Sequence, residues 1–227
     1  MIFNVFGFII TIAIYWGAKR IYRSSNNKAL LSPLFITPLF LIILLLWSNT
    51  PYESYNTSAK YISYALQPAT IALAVPLYKY FDLFKKNALP IVLSVLFGTG
   101  VALSSSELFA HLFHLDSEMI GSLIPHSVTT PMAMDISQVI GGIPAITAVF
   151  VIITGIIGSL IGPTIIKHLK INNCIARGIL LGTSAHASGT TKAFEFGTTS
   201  GTISSVSMIL TGFITIFAAP IMVNLLH

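Results

Sequence analysis

Apolar residues fill long stretches of this chain, and polar ones gather in short interruptions between them. The stretches are Ile2–Ala18, Ala29–Trp47, Tyr61–Tyr78, Pro90–Ala110, Ile143–Ile166 and Ile203–Leu226. Each is near the roughly 20 residues that a helix needs to cross about 30 Å of hydrocarbon. Backbone groups in lipid must be paired within the segment, so runs of this length predict helices rather than strands. The pattern predicts an all-α polytopic membrane protein with about six full spanning helices.

Two of the interruptions repeat each other. SVTTPMAMDIS runs from Ser127 to Ser137 and SGTTKAFEFGT from Ser188 to Thr198. Each contains Ser-x-Thr-Thr, then Ala, an apolar residue, an acid and another apolar residue. Matching apolar segments follow: ITGIIGSLIGP, with Thr154, Gly155 and Pro163, and LTGFITIFAAP, with Thr211, Gly212 and Pro220 at the same Thr-to-Pro spacing. A fainter copy lies in PATIALAVPLY and the later FGTGVALSS. Pro in the first phrase and Gly around the second break helices, and broken backbone at membrane depth is tolerated where it lines a cavity. Helix packing through small and hydroxyl residues is the plainer explanation of the Thr-Gly pairs. The acid that recurs in both phrases favours a true repeat, because intramembrane acids are costly and usually functional.

Charge sets the topology. Lys19, Arg20, Arg23 and Lys28 follow the first stretch, and Lys79, Lys85 and Lys86 follow the third; the positive-inside rule puts both loops in the cytoplasm. The segment His111–Glu118 has two acids and no Lys or Arg, which places it outside, and Lys167, Lys170 and Arg177 return the chain inside. Only one long apolar stretch separates Glu118 from Lys167. The segment with the first phrase is therefore expected to enter and leave on the outer side, and Ile175–Gly197 to enter from the inner side. Two broken or re-entrant segments, each followed by a spanning helix and entering from opposite faces, make an inverted-topology repeat. The expected organisation is an N-terminal region of two spans (1–58) and a core (59–227) with repeated units at about 119–166 and 175–226.

The composition agrees: 54% of residues are hydrophobic and 8% charged, far below what a water-facing surface carries. Loop bias accounts for the net charge of +5, so nucleic acid is not an expected partner. The first stretch has no basic residue ahead of it and no small-residue cleavage site behind it, and it reads as a retained helix. A single cysteine, Cys174, excludes an intramolecular disulfide and a multi-cysteine metal site.

The candidate chemistry sits in the two phrases. Asp135 and Glu195 could hold a coupling proton or cation, cap freed N–H groups, or reach an interface. Thr129, Thr130, Thr190 and Thr191 offer hydroxyls beside exposed backbone amides, a setting for a small anionic or polar solute; back-bonding within a helix is the alternative. Lys192 could neutralise a carboxylate, pair with Glu195, or snorkel to the surface. His186, in GTSAHASG, could serve a proton-linked step or a structural hydrogen bond. Glu107, after three serines, lines the same cavity or sits near the outer interface. His111, His114, Asp116 and Glu118 lack a metal-ligand spacing and read as a solvated loop, so no metal is expected. Ser184 and Ser188 lie two residues from His186, do not face it on a helix and form no nucleophile elbow, so no hydrolase and no other enzyme is expected. There is no Walker-type phosphate loop, and no cofactor is expected.

The stretch from IPHSVTTPMAMDISQVIGGIPAITAVFVIITGIIGSLIGP through ARGILLGTSAHASGTTKAFEFG strongly resembles the LrgB/CidB family of antiholin-like membrane proteins; with PATIALAVPLYK the resemblance covers roughly residues 60–226. It implies a multi-pass protein of the bacterial cell membrane and two functions of different class. One is modulation of murein hydrolase activity and lysis beside a small holin-like LrgA/CidA partner. The other is movement of small monocarboxylates of the pyruvate, glycolate or glycerate kind, since plant relatives are plastid glycolate/glycerate translocators. Two polar breaks reached from opposite faces favour a carrier, proton- or cation-linked, with its small organic anion at the midplane. A homo-oligomer is compatible with either function.

Overall fold

A computed structural model describes residues 6–25, 31–65, 68, 71 and 74–226, and no strand occurs among them. The chain divides into two compact units, residues 1–71 and 72–227. The first holds α1 (Phe6–Ser24), α2 (Pro33–Trp47) and α3 (Tyr52–Tyr64), with α1 packed on both others. Gly7 lets α3 come close: its N–H donates to Ser58 Oγ at 2.9 Å, and one turn later Thr11 Oγ1 meets the Tyr55 hydroxyl at 2.7 Å.

The second unit runs α4 (Ala74–Lys79), α5 (Phe81–Lys86), α6 (Ala88–Leu112), α7 (Ser117–Leu123), a 3-10 turn (Ile124–Ser127), α8 (Thr130–Val139), α9 (Pro144–His168), α10 (Cys174–Glu195) and α11 (Thr198–Leu226). Local chemistry sets several boundaries. Asp116 caps α7 by accepting from the Met119 N–H at 2.8 Å, and Asn173 caps α10 by accepting from Ile175 and Ala176. Pro144 starts α9, where its missing N–H costs nothing. Gly197, at φ 124°, makes the turn from α10 into α11.

Among the described residues, three helices are long and apolar enough to cross a bilayer: α6, α9 and α11. The other three expected spans come out differently. α1 carries Lys19, Arg20 and Arg23 in its last turns, and α2 has 15 residues, short of a full crossing. The stretch Tyr61–Tyr78 is not one unbroken helix, because α3 ends at Tyr64 and Ala65 is in a turn. Residues 66–67, 69–70 and 72–73, Lys28, and much of the fainter copy PATIALAVPLY lie outside the described residues.

α11 is the central post of the second unit. Its residues Gly201–Ile209 are buried on every side, although Thr202, Ser204, Ser205 and Ser207 are among them. The basic-end half of α11 packs on α10 and α6, where Ile91, Val95 and Ile203 form a core. Its other half packs on α8, with Met132 seated against Gly212. α9 is shared likewise. Thr147, near its start, donates to Ser137 of α8 at 2.7 Å, while Gly155, Gly158 and Gly162 face α10. The small residues let backbones approach, which is how helices associate when lipid removes the hydrophobic drive.

These approaches yield a paired prediction. A Cβ at Gly182 would strike the Ser204 carbonyl of α11, whereas one at Gly100 of α6 would meet nothing within 4 Å. Gly182→Ala should destabilise the protein by about 1–3 kcal/mol, and Gly100→Ala should be neutral or stabilise it by up to about 1 kcal/mol. Thermal unfolding of the two variants in detergent checks both.

Candidate functional site

The second repeated phrase lies on a helix that turns back on itself. The helical path of α10 breaks at Ala185 (φ −137°, ψ 16°) and His186 (φ 39°, ψ −127°). Beyond the break the chain returns toward its entry: the Arg177 guanidinium lies 5.4 Å from the centre of the Phe196 ring. A continuous helix would hold those residues roughly 28 Å apart at 1.5 Å per residue. Leu181 of the outgoing arm and Ala193 of the returning arm share one core with Ile166. On the returning arm Phe194 packs on Gly201, and Thr190 Oγ1 meets Ser204 Oγ at 2.9 Å. α10 is a helical hairpin with its mouth at the end that carries Lys167, Lys170 and Arg177, and with His186 at its tip.

The tip is fixed to the middle of α9. His186 is buried, its Nε2 donates to the Val151 carbonyl at 3.0 Å, and its ring lies against Gly155 beside Ser188. Its positive φ belongs to a region that glycine enters freely and other residues at a cost of about 1–3 kcal/mol. The Val151 bond and the packing on Gly155 are what hold a histidine there.

The first phrase has a comparable shape at the other end. α7 enters, the 3-10 turn and Val128–Thr129 form a tip, and α8 returns until Gly142 lies against Gly121 and the Ile143 N–H donates to Ser122 Oγ at 2.7 Å. Ile124 and Val128 of this tip share a core with Val151. His126 Nδ1 donates to the Leu123 carbonyl at 3.0 Å and meets Ser106 Oγ at 3.2 Å, while that hydroxyl donates to Ala102. Both tips thus reach α9 around Val151, one through the core that holds Ile124, Val128 and Val151 and the other through His186.

Among the described residues, several buried hydroxyls have no hydrogen-bond partner. In the second unit they are Thr99 of α6, Ser127 and Thr129 of the first tip, Thr183 of the α10 tip, and Thr202 and Ser207 of α11. The methyl of Thr183 sits on Gly98. Each such hydroxyl costs about 1–3 kcal/mol unless something polar pairs with it.

The residues singled out by sequence divide between this centre and the flanks. Thr129 and His186 are at the tips. Thr130 opens α8. Thr190 is buried but committed to Ser204, and Thr191 is exposed and donates to the Ala187 carbonyl. Lys192 pairs with Glu195 at 2.9 Å, and Glu195 is half exposed on the returning arm near the mouth. Asp135 lies on the exposed side of α8, away from the face formed by Ala133, Ile136 and Ser137. Glu107 is partly exposed, next to the Ser106 that meets His126. The tips bring together hydroxyls and histidines, and the three acids lie apart from them.

Sequence reasoning passed over Ser127, Thr183, Thr99, Thr202, Ser207 and the pairing of His126 with Ser106. A usable signal was present: each phrase is preceded by a histidine, His126 three residues before Thr129 and His186 four before Thr190. The run TSGTISSVS in α11 was a second signal.

The strained tip gives a stability prediction. His186→Ala loses the Val151 bond and keeps the unfavourable φ, whereas His186→Gly loses the bond and relieves the backbone. His186→Gly should be the more stable of the two by about 1–3 kcal/mol, as read by thermal or denaturant unfolding.

The LrgB-like family matches residues 11–225. The uncharacterized protein YwbG of Bacillus subtilis is 50% identical over 99% of this chain and 99% of its own length, and YxaC of the same organism is 36% identical over 96% and 95%. The antiholin-like protein LrgB of Bacillus mycoides is 34% identical over 95% of this chain and 94% of its own. No solved structure matches.

Proposed function

The chain belongs to the LrgB-like family, and from that premise we propose that it is a multi-pass carrier of small monocarboxylates in the bacterial cell membrane. The observation that carries the reading is the meeting of two helical hairpins, which enter from opposite ends, at the Val151 level of α9. We read α7 to α9 and α10 to α11 as the two halves of an inverted-topology repeat, the arrangement in which secondary transporters bind substrate at the midplane. The helices of the first unit would bring the crossings towards six.

In this reading the substrate carboxylate accepts hydrogen bonds from Thr129 and Thr183 and from the backbone amides that begin α8 and the returning arm of α10. The first amides of a helix lack internal partners and favour an anion. The hydroxyls that no protein group satisfies then acquire partners when the acid binds. Lys192 and Glu195, near the inner mouth, and Asp135 and Glu107, on the flanks, manage charge on the way in and out, with a proton or cation moving alongside.

A second reading has its own support. Relatives 34% identical over almost the whole chain bear the name antiholin-like protein LrgB. On that reading the chain regulates a small holin-like membrane partner and thereby murein hydrolase activity and lysis.

The deciding experiment is uptake of labelled pyruvate and glycolate into proteoliposomes that hold this protein alone, with and without a pH gradient. Because Thr129 Oγ1 has no hydrogen-bond partner among the described residues, Thr129→Val should leave stability unchanged or raised. It should lower uptake tenfold or more, since a hydrogen bond to a charged group contributes about 1.5–3 kcal/mol. Equal uptake by wild type and Thr129→Val would remove the tip from the substrate path. No uptake of either acid, with an effect only once a holin-like partner is added, would establish the regulator.

A further inference from the structure

We propose that the basic end of the second unit binds the phosphate headgroup of an anionic phospholipid, in a pocket of about 460 Å³ between the end of α9 and the mouth of the α10 hairpin. Lys167, Lys170 and Arg177 supply the charge, and Pro163, Ile166 and Phe196 supply apolar wall. Among the described residues no carboxylate lines it. Glu195, on the neighbouring returning arm, is already paired with Lys192 at 2.9 Å.

The three cations are held in different ways, and two of those ways point to a ligand. Arg177 is built into the wall: its Nε donates to the Ile171 carbonyl at 2.6 Å and its guanidinium lies over Phe196 at 5.4 Å. A guanidinium fixed in this way is pre-organised for an oxyanion, which it can meet with two parallel N–H groups. Lys170 ends α9 at φ 52°, with the following Ile171 N–H returning to the Ile166 carbonyl at 3.0 Å. Glycine or asparagine is the usual residue at such a helix end. A lysine stands there although a glycine would close the helix with less strain, and its side chain lines the pocket. Lys167 is the exposed third cation, one turn before.

Depth and shape select the lipid over a free anion. The pocket sits where α9, a 25-residue apolar helix, runs out, which is the level of headgroups. Basic pockets between spanning helices on the cytoplasmic side are sites for anionic headgroups. Cations set beside an apolar wall match a phosphate joined to glycerol and acyl carbons, whereas a free phosphate leaves Pro163, Ile166 and Phe196 unused. This inference does not depend on the carrier reading.

The test uses the full chain in nanodiscs of phosphatidylcholine, alone or with a minor fraction of phosphatidylglycerol, and native mass spectrometry to count retained phosphatidylglycerol. Lys167→Gln with Lys170→Asn removes two charges and keeps a residue that tolerates the helix end. Lys85→Gln with Lys86→Gln removes two charges elsewhere. The wild type should retain phosphatidylglycerol. The pocket variant should lose affinity about fivefold per charge removed, close to thirtyfold in all, and the Lys85/Lys86 variant should lose clearly less. Equal losses in the two variants, or no retention by the wild type, would overturn the site. If inorganic phosphate in phosphatidylcholine discs raises the unfolding temperature as much as phosphatidylglycerol does, the ligand is a free oxyanion and the lipid assignment fails. Because the readout is binding and unfolding, failure of monocarboxylate uptake leaves the result intact.

Discussion

A helix that stops halfway through an apolar layer must find partners for the backbone groups it frees, and must turn without a glycine if its sequence has none at the turn. α10 meets both demands at His186. One imidazole nitrogen binds the Val151 carbonyl, and the ring fills the space that Gly155 leaves open. That single contact ties the tip of one hairpin to the middle of a spanning helix. From it follow the return of the chain toward Arg177, the burial of Leu181 against Ala193, and the close run of both arms along α11.

The packing around the hairpin explains why so apolar a chain contains so much Ser, Thr and Gly. Lipid gives helices no hydrophobic reason to associate, so close backbone approach and interhelical hydrogen bonds must do it. Gly178 and Gly182 bring α10 onto α11, Ser200 Oγ donates across to the Cys174 carbonyl, and Thr190 joins Ser204. Many hydroxyls are spent this way or on their own helix, as with Thr211 on Ser207 and Thr215 on Thr211. Among the described residues of the second unit, Thr99, Ser127, Thr129, Thr183, Thr202 and Ser207 are the buried hydroxyls left without a partner. Packing alone would have been served as well by alanine or valine at those positions.

Much of this was legible in the sequence. The helices α6, α9 and α11 follow from apolar length, and the two interruptions follow from Pro131 and the glycines beside repeated Ser-x-Thr-Thr. Loop charge also led to the expectation that Ile175–Gly197 enters from the basic side, and Arg177 over Phe196 is the geometry of a segment that goes in and comes back. Three things were hidden. The fold-back needs a carbonyl from a residue 35 positions away, a tertiary contact that no local pattern encodes. The stretch Tyr61–Tyr78 reads as one apolar run, yet its helix ends at Tyr64 because hydropathy does not register where a backbone turns. The acids drew attention because charge in a membrane is costly, but Asp135 sits on the outer side of α8 and Glu195 beside a lysine near the mouth, where that cost is small.

The distribution of charge within the second unit bears on what its centre can hold. Lysine, arginine and glutamate lie at the mouth of α10 or on flanks, while the level of Val151 is furnished with hydroxyls, helix beginnings and two histidines. A buried lysine or arginine at that level would bind an anion tightly and release it slowly. Hydroxyls and amides at that level hold their neighbours by weaker, neutral bonds. They impose no permanent charge, so the unit buries no uncompensated ion there. The charged residues stand instead at its ends and flanks, where exposure keeps the cost of a charge small.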